Sequence, residues 1–402
     1  MIQLPIKAVL SGVLLIILLG IRGVSFADQD LWWEVAVGDQ TDLENNLLQV
    51  ESDMVELGLT YLESNDTEHA MQQFSRILAI NPNNPEAHFG LGMIHERQGR
   101  EDQAVNAFKK SIELSPQLID SYINLGLIYI KQQKYDEAID TYFDALVIDP
   151  QQERACFGLG VAYQSLGRYE EAIDAYNEAI TIRPNFADAY NNLGIVLGHV
   201  DMQQEAIMAY KIAIEIKPDY AEAAHNNLGI AYQTLDMQAE AIEAFWNAIL
   251  LDPEYAKAWY NLGKSYHLVN RYEDAVLAYN KANQFQKEFA DAYYGLGNAY
   301  GSLGQYKEAA AVYLEAIRLN PDDARAYFNL GWAYGRQGEY DKEIQAYNKA
   351  IKIEKDYVKA YLGLGLAYVR SGDKVSAMRE YKNLEQLDRD LAETLLKIVE
   401  EM

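Results

Sequence analysis

Apolar residues recur along the chain at helical spacing in pairs of short runs, each pair parted by a Gly, Asn or Asp and usually followed by a Pro. In the stretch from Pro85 to Leu118, the Leu91-Gly92 pair, Ala104, Phe108 and Pro116 mark the pattern, and these marks return every 34 residues. With the glycine after the leucine counted as position 8, it falls at Gly58, Gly92, Gly126, Gly160 and Gly194, then after one 35-residue step at Gly229, Gly263, Gly297, Gly331 and Gly365. Ten repeats follow, beginning at Glu51, Pro85, Ile119, Glu153, Ala187, Glu222, Ala256, Ala290, Ala324 and Val358. Each predicts a helix hairpin, so the chain is expected to be all-α and built of stacked units.

The hairpin gives each marked position a physical task. Gly at position 8 and Ala at position 20 let the two helices approach, and the aromatic at position 24 fills the space beside them. Position 15, the turn, is Gly99, Gly167, Gly304, Gly338 and Gly372 in five repeats and Asn65, Asp201, Asp236 and Asn270 in four. These residue types best accept positive φ. Gln133 in repeat 3 is expected to be the least comfortable turn. Asn84 before Pro85 predicts a helix N-cap and first helical residue. Of 30 tyrosines, 25 fall on positions 4, 11, 17 and 24, which marks them as packing groups.

Leu at 7 and Gly at 8 in ten repeats, Ala at 20 in nine, an aromatic at 24 in ten and Pro at 32 in seven together resemble the tetratricopeptide repeat over residues 51–391. The departures are Leu197 and His95 for Tyr at position 11, Glu343 for Ala at 20, and Lys287, Lys355 and Arg389 for Pro at 32. The resemblance implies a right-handed superhelical solenoid whose first helices line a concave groove through positions 2, 5, 6, 9, 12 and 13.

Outside the repeats, residues 1–27 hold an apolar run from Ala8 to Ile21 and end in Ser25-Phe26-Ala27, the pattern of a cleaved secretory signal, or, with Arg22 close behind the run, of an uncleaved inner-membrane anchor. Export to the periplasm or cell envelope is the expectation. Residues 28–50, with Trp32 and Trp33, are expected to cap the open end of repeat 1, and residues 392–402 to close the last repeat as a helix with Leu395, Leu396 and Ile398 on its apolar side. The extra residue between repeats 5 and 6 falls within 219–224 and lengthens one link.

The formal charge of −26 becomes −28 once residues 1–27, with Lys7 and Arg22, are removed. So acidic a chain repels phosphate backbones and anionic headgroups, which argues against nucleic acid as a partner. Membrane contact is expected only through an uncleaved N-terminus. The sole cysteine, Cys156, occupies packing position 4 and can form no internal disulfide. GLGMIHERQG at Gly90 and GLGNAYGSLG at Gly295 imitate a dinucleotide loop, but they fall inside first helices and do not follow a strand. His88 and His95 stand at packing positions 4 and 11. No cofactor, metal site or catalytic residue is expected, and the chain reads as a non-enzyme.

What remains is the groove that the resemblance implies. Position 6 carries Asn124, Asn192, Asn227, Asn261 and Asn329 alternating with Gly90, Gly158, Gly295 and Gly363, similar to the asparagine ladder in the repeat region of O-linked N-acetylglucosamine transferase, whose catalytic part this chain lacks. Such amides either hold an extended peptide or stabilise the helix stack. Groove positions of repeats 1 to 6 carry Glu56, Glu63, Glu86, Glu96, Asp120 and Asp188 against Arg97, Lys131 and Arg154. Those of repeats 7 to 10 carry Lys257, Lys264, Arg325, Arg336, Lys359 and Arg370 against Asp291 alone, among Tyr260, Tyr294, Asn298, Phe328 and Trp332. The groove partly resembles the carboxylate clamp of chaperone-binding members, without its Lys at position 5 or Arg at position 6. The expected function is an exported scaffold that binds an acidic or carboxylate-bearing peptide or protein in assembling or organising an envelope complex. The alternative is a structural subunit, or a self-associating array, bound through its outer face.

Overall fold

In the computed structural model the described residues are 40–401, and they form 21 α-helices with one 3₁₀ turn and no strand among them. Two compact units divide between Leu166 and Gly167. The first holds α1 (Gln40–Glu63), α2 (Thr67–Ile80), α3 (Pro85–Arg97), α4 (Glu101–Leu114), α5 (Ile119–Lys131), α6 (Tyr135–Ile148) and α7 (Glu153–Ser165). The second holds α8 (Tyr169–Ile182), α9 (Ala187–His199), α10 (Gln203–Ile216), α11 (Glu222–Thr234), α12 (Gln238–Leu251), α13 (Ala256–Leu268), α14 (Tyr272–Phe285) and α15 (Ala290–Ser302). It continues through α16 (Tyr306–Leu319), α17 (Ala324–Gln337), α18 (Tyr340–Ile353), α19 (Val358–Ser371), α20 (Lys374–Leu387) and α21 (Arg389–Glu400). Each unit is an all-α solenoid of antiparallel hairpins. Within each, the first helices of neighbouring hairpins also touch one another, so they line one continuous face.

The close approach expected at position 8 is visible atom by atom. A Cβ placed on Gly58 would lie 2.7 Å from the Phe74 ring, one on Gly92 2.5 Å from Phe108, and one on Gly263 2.8 Å from Tyr279. The ring also reaches the next repeat. Position 6 glycines pack on it from the other side, Gly295 against Tyr279 and Gly363 against Tyr347, at 2.7 and 2.8 Å by the same measure. One aromatic thus welds its own hairpin and the joint to its neighbour, and bulk on either glycine would force it out. Repeat 10 departs: Gly365 meets Leu395 of α21 and not Tyr381, whose hydroxyl donates to Glu385.

All ten turn residues have positive φ, from 59° at Gln133 and Asp236 to 80° at Gly372. In nine repeats the amide after the turn residue reaches back five residues, as from Arg100 to the His95 carbonyl at 2.8 Å, closing the orphan carbonyls of the first helix. Asn84 caps α3 as expected, its Oδ1 accepting from the Ala87 amide at 2.8 Å. GLGMIHERQG and GLGNAYGSLG run from within first helices α3 and α15 into the turns that follow, at Gly99 and Gly304. Nine position 20 alanines are fully buried, and so is the tenth residue, Glu343.

At the ends, α1 runs unbroken from Gln40 through the start of repeat 1, so the last part of the 28–50 leader is helical. Residues 1–27 and the Trp32-Trp33 pair lie outside the described residues. The closing helix begins at Arg389, ahead of the expected 392, because Asp388 caps it by accepting from the Leu391 amide at 3.0 Å. It buries Ala392, Leu395 and Val399, leaving Leu396 and Ile398 half-buried. The extra residue before repeat 6 is absorbed as a 3₁₀ turn over Pro218–Tyr220.

Candidate protein-binding groove

The first helices α13, α15, α17 and α19 bring the predicted residues of repeats 7 to 10 onto one face of the second unit. Their rings are set by a rule that the packing positions do not contain. The aromatic at position 5 packs against the last residue of the same repeat with the rings tilted: Tyr260 on Phe289 with centroids 4.9 Å apart, and Phe328 on Tyr357 at 5.4 Å. In repeat 8 the last residue is Asp323, and a guanidinium replaces the ring: Arg325 lies 5.2 Å over Tyr294 and pairs with Asp323 at 2.8 Å. Burial raises the Asp323 pKa, but the hydrogen bonds and charge of Arg325 outweigh it and hold the carboxyl below its ordinary value. Arg325 is therefore a packing group as much as a groove cation.

The remaining cations divide. Lys257 and Lys359 are exposed and make no ion pair among the described residues, and Lys264 stands 6.0 Å over the Tyr260 ring. Arg336 stacks 5.0 Å over Tyr306, and Arg370 pairs with Glu343. Six cations consequently face three acids and not one, because Asp323 and Glu343 enter the groove from outside its six positions. In the first unit two groove cations are paired, Lys131 with Glu96 at 2.5 Å and Arg154 with Asp120 at 3.1 Å.

The asparagines are largely engaged within the stack. Asn227 donates to Asn191 at 3.2 Å and Asn261 to Asn226 at 3.0 Å, each across a repeat joint. Asn329 donates to both Asn298 at 2.9 Å and the Tyr294 hydroxyl at 3.0 Å, while Asn298 also accepts from Tyr313 at 2.7 Å. In the first unit, Asn124 bonds its own helix at the Asp120 carbonyl. Asn192 accepts a long 3.4 Å bond from Asn191. Asn124, Asn227, Asn261 and Asn329 thus each commit a donor to helix registration.

Five predicted residues do converge: Phe328, Trp332, Arg336, Lys359 and Arg370 line one open cavity of about 530 Å³, with Leu362, Leu366 and Tyr347. Its wall also contains Gly335 and Glu343, which the groove positions did not nominate as a pair. The signal was present in the sequence, since Glu343 is the single non-alanine at position 20. Its carboxyl sits where a Cβ on Gly335 would fall, so the small residue makes the space for the acid. Burial raises the Glu343 pKa, opposed by the charge of Arg370.

No curated protein matches the sequence. Among solved structures, the C-terminal part of a TPR repeat-containing protein from Cytophaga hutchinsonii is 18% identical over 58% of this chain and 95% of its own, with a TM-score of 0.50. That likeness is one of fold. A crystal structure of MamA is 29% identical over 43% of this chain and 94% of its own, TM-score 0.38. YrrB, described as a TPR protein with an unusual peptide-binding site, is 24% identical over 47% and 97%, TM-score 0.42. A family model described as TPR repeat matches residues 58–99, 126–167, 162–199, 268–304, 297–338 and 333–372, more than half of the chain. Models described as tetratricopeptide repeat match residues 85–118, 107–140, 187–220, 222–255 and 244–276. The chain belongs to the tetratricopeptide repeat family and is built as a scaffold for protein–protein interaction.

Proposed function

We propose that this scaffold is exported and organises an envelope complex by holding an extended acidic segment of a partner along α13, α15, α17 and α19. Export rests on the apolar run before Ser25-Phe26-Ala27. The single observation that carries the binding reading is the convergence of Phe328, Trp332, Arg336, Lys359 and Arg370 on one cavity, and α13 of the same unit adds the exposed Lys257 and Lys264 over the Tyr260 ring. Aromatic surface supplies contact and the ammonium groups supply attraction, screened over roughly 8 Å at physiological salt.

The test is capture of the partner from native envelopes and its calorimetric titration. Lys257→Glu with Lys264→Glu should weaken binding and flatten its salt dependence. Lys211→Glu with Arg318→Glu, on second helices, should do neither. Arg325 is left intact because its loss would also unpair Asp323 and uncover Tyr294. A second reading has its own observation: Leu250 and Leu277 on the second helices α12 and α14 are 73% and 65% exposed, with Trp246, on α12 like Leu250, at 38%. If the lysine reversals leave affinity unchanged while Leu250→Glu abolishes it, the outer face is the interface and the chain is a structural subunit.

A further inference from the structure

Positions 25 and 29 of the second helices are exposed in all ten repeats. In eight repeats at least one of the two is polar or charged, as with Lys211 and Glu215 on α10 or Asn280 and Gln284 on α14. Repeats 3 and 6 break the rule alike. Phe143 and Val147 on α6 are 47% and 83% exposed, and Trp246 and Leu250 on α12 are 38% and 73% exposed. The members of each pair stand one turn apart, on a helix that contains no basic residue. Acids three and six residues before each ring share its face: Asp140 and Glu137 on α6, Glu243 and Glu240 on α12. All four are exposed and make no ion pair among the described residues.

The setting of the pairs is duplicated as well. The repeat before each carries a lysine at position 25, and its ammonium lies over the position 11 tyrosine of the repeat that bears the pair, Lys109 5.7 Å over Tyr129 and Lys211 5.8 Å over Tyr232. Trp246 is also fixed from within. Its Nε1 donates to the Tyr266 hydroxyl at 2.9 Å, and its ring stands edge-on to Trp259 at 5.5 Å. A ring held in one orientation yet open to solvent loses little freedom on binding. Each compact unit thus presents one copy of an apolar pair beside unpaired acids, at positions that the hairpin itself does not need.

The acids decide the occupant. A second copy of this chain, at a formal charge of −26, and an anionic lipid surface would both be repelled. A segment with leucine-like side chains at i and i+4 and lysine or arginine beside them meets both halves of the patch. The rise of about 6 Å along each pair equals that between the same positions of an apposed helix. We infer that each unit docks a short basic amphipathic helix of a partner protein on its outer face, so that one chain holds two such helices. The inference rests on the outer-face reading, to which it adds the partner's chemistry, and it uses none of the groove cations.

Calorimetric titration of the full chain tests it with two helical peptides of about four turns, one with leucine on one face and lysine on the other, and its twin with glutamate for lysine. The basic peptide should bind two equivalents and the acidic twin none. Val147→Gln or Leu250→Gln should each leave one equivalent, and the two together should weaken binding at least about tenfold, the worth of one buried aliphatic side chain per patch. Both side chains are mostly exposed and their replacements carry no charge, so the fold and the overall field stay as they are. Asp140→Asn with Glu243→Gln should weaken binding roughly two- to fivefold and reduce its salt dependence. Two equivalents still bound by the Val147→Gln, Leu250→Gln chain would mean that the acidic chain as a whole attracts the peptide, and would overturn the inference. So would equal binding of the acidic twin, or no binding of the basic peptide. Sedimentation that finds the wild type self-associated and the double variant monomeric gives the patches to a second copy and overturns it as well. If the peptide titrates as expected while Leu250→Glu leaves partner capture unchanged, the patches stand and the outer-face reading of the native complex fails. If Leu250→Glu abolishes capture while the basic peptide binds neither patch, the outer face remains the interface and its basic occupant is refuted.

Discussion

Repeats 8 and 9 start from the same two devices, a glycine at position 12 and an arginine at position 13 of the following repeat, and resolve them oppositely. In repeat 8 the space over Gly301 is filled by the Trp332 indole, and Arg336 stacks on Tyr306. Beneath them Ala309 keeps the joint apolar. In repeat 9 the space over Gly335 is filled by the Glu343 carboxylate, and Arg370 turns to pair with it. One arrangement is closed by dispersion and ring contact. The other is closed by charge, leaves an oxygen unsatisfied and opens onto a cavity. Neighbouring copies of one motif thus show where packing alone decides a residue and where something further is asked of it.

The comparison breaks most severely if the acid is moved. Ala309→Glu places a carboxylate at the repeat 8 joint, where Trp332 already fills the glycine space and no arginine is free to pair. It should destabilise the second unit by about 3–5 kcal/mol, the cost of an uncompensated buried charge. Hydrogen exchange localised to α15 to α18 reads the loss. Exchange no faster than in the wild type would mean that position 20 is not sealed.

Gly297→Leu follows. A Cβ there would lie 2.4 Å from the Tyr313 ring, and overpacking should cost about 1–3 kcal/mol and fray the array from repeat 8. Limited proteolysis between α14 and α17 checks it, and an unchanged cleavage pattern would refute the glycine-to-ring contact. This contact was legible in the sequence, because positions 8 and 24 repeat within one hairpin. The welding of Tyr279 to Gly295 was not, since it links two repeats and depends on how hairpins stack. Period alone could place Arg325 in the groove but could not see Asp323 tying it down. Nor could it show that Leu395 displaces Tyr381 from Gly365. Departures from the period were visible as letters, Glu343 above all; its partner Arg370 lies 27 residues away.

Glu343→Ala sharpens the comparison in the opposite direction by giving repeat 9 the repeat 8 residue. Arg370 is half-exposed and can turn to water, so removal of the buried acid should stabilise the second unit by about 1 kcal/mol at neutral pH. Because the folded pKa of Glu343 is raised above its ordinary 4.5, the native state holds its proton to higher pH than the unfolded chain. Wild-type stability therefore falls as pH rises through that folded value and recovers on acidification. The advantage of alanine should shrink as pH drops toward 4.5. A gap between the melting temperatures that stays constant with pH would mean that Glu343 is protonated throughout, or that its burial costs nothing.

The smallest effect lies in the first unit, where the turns of repeats 2 and 3 pose the same question of backbone and not of side chain. Gly99 and Gln133 share position 15 with φ of 69° and 59°. Glycine enters this region without strain, whereas an L-residue with a side chain pays about 1–2 kcal/mol, and glutamine is too long for the local bond that eases asparagine and aspartate. Glycine is in turn freer in the unfolded chain, which cancels part of the gain. Gln133→Gly should therefore stabilise the hairpin of α5 and α6 by about 0.5–1 kcal/mol. The amides of Gln133 and Lys134, bonded to Ile130 and Tyr129 at 3.0 and 2.9 Å, report on this turn. Their exchange should slow by roughly two- to fivefold, and Gly99→Gln should hasten that of Gly99 and Arg100 by a similar factor. Opposite changes at the two sites would show that turn strain, not side-chain contact, separates the two hairpins. A Gln133→Gly chain whose Lys134 amide exchanges as fast as before would mean that a contact of the glutamine side chain offsets its strain.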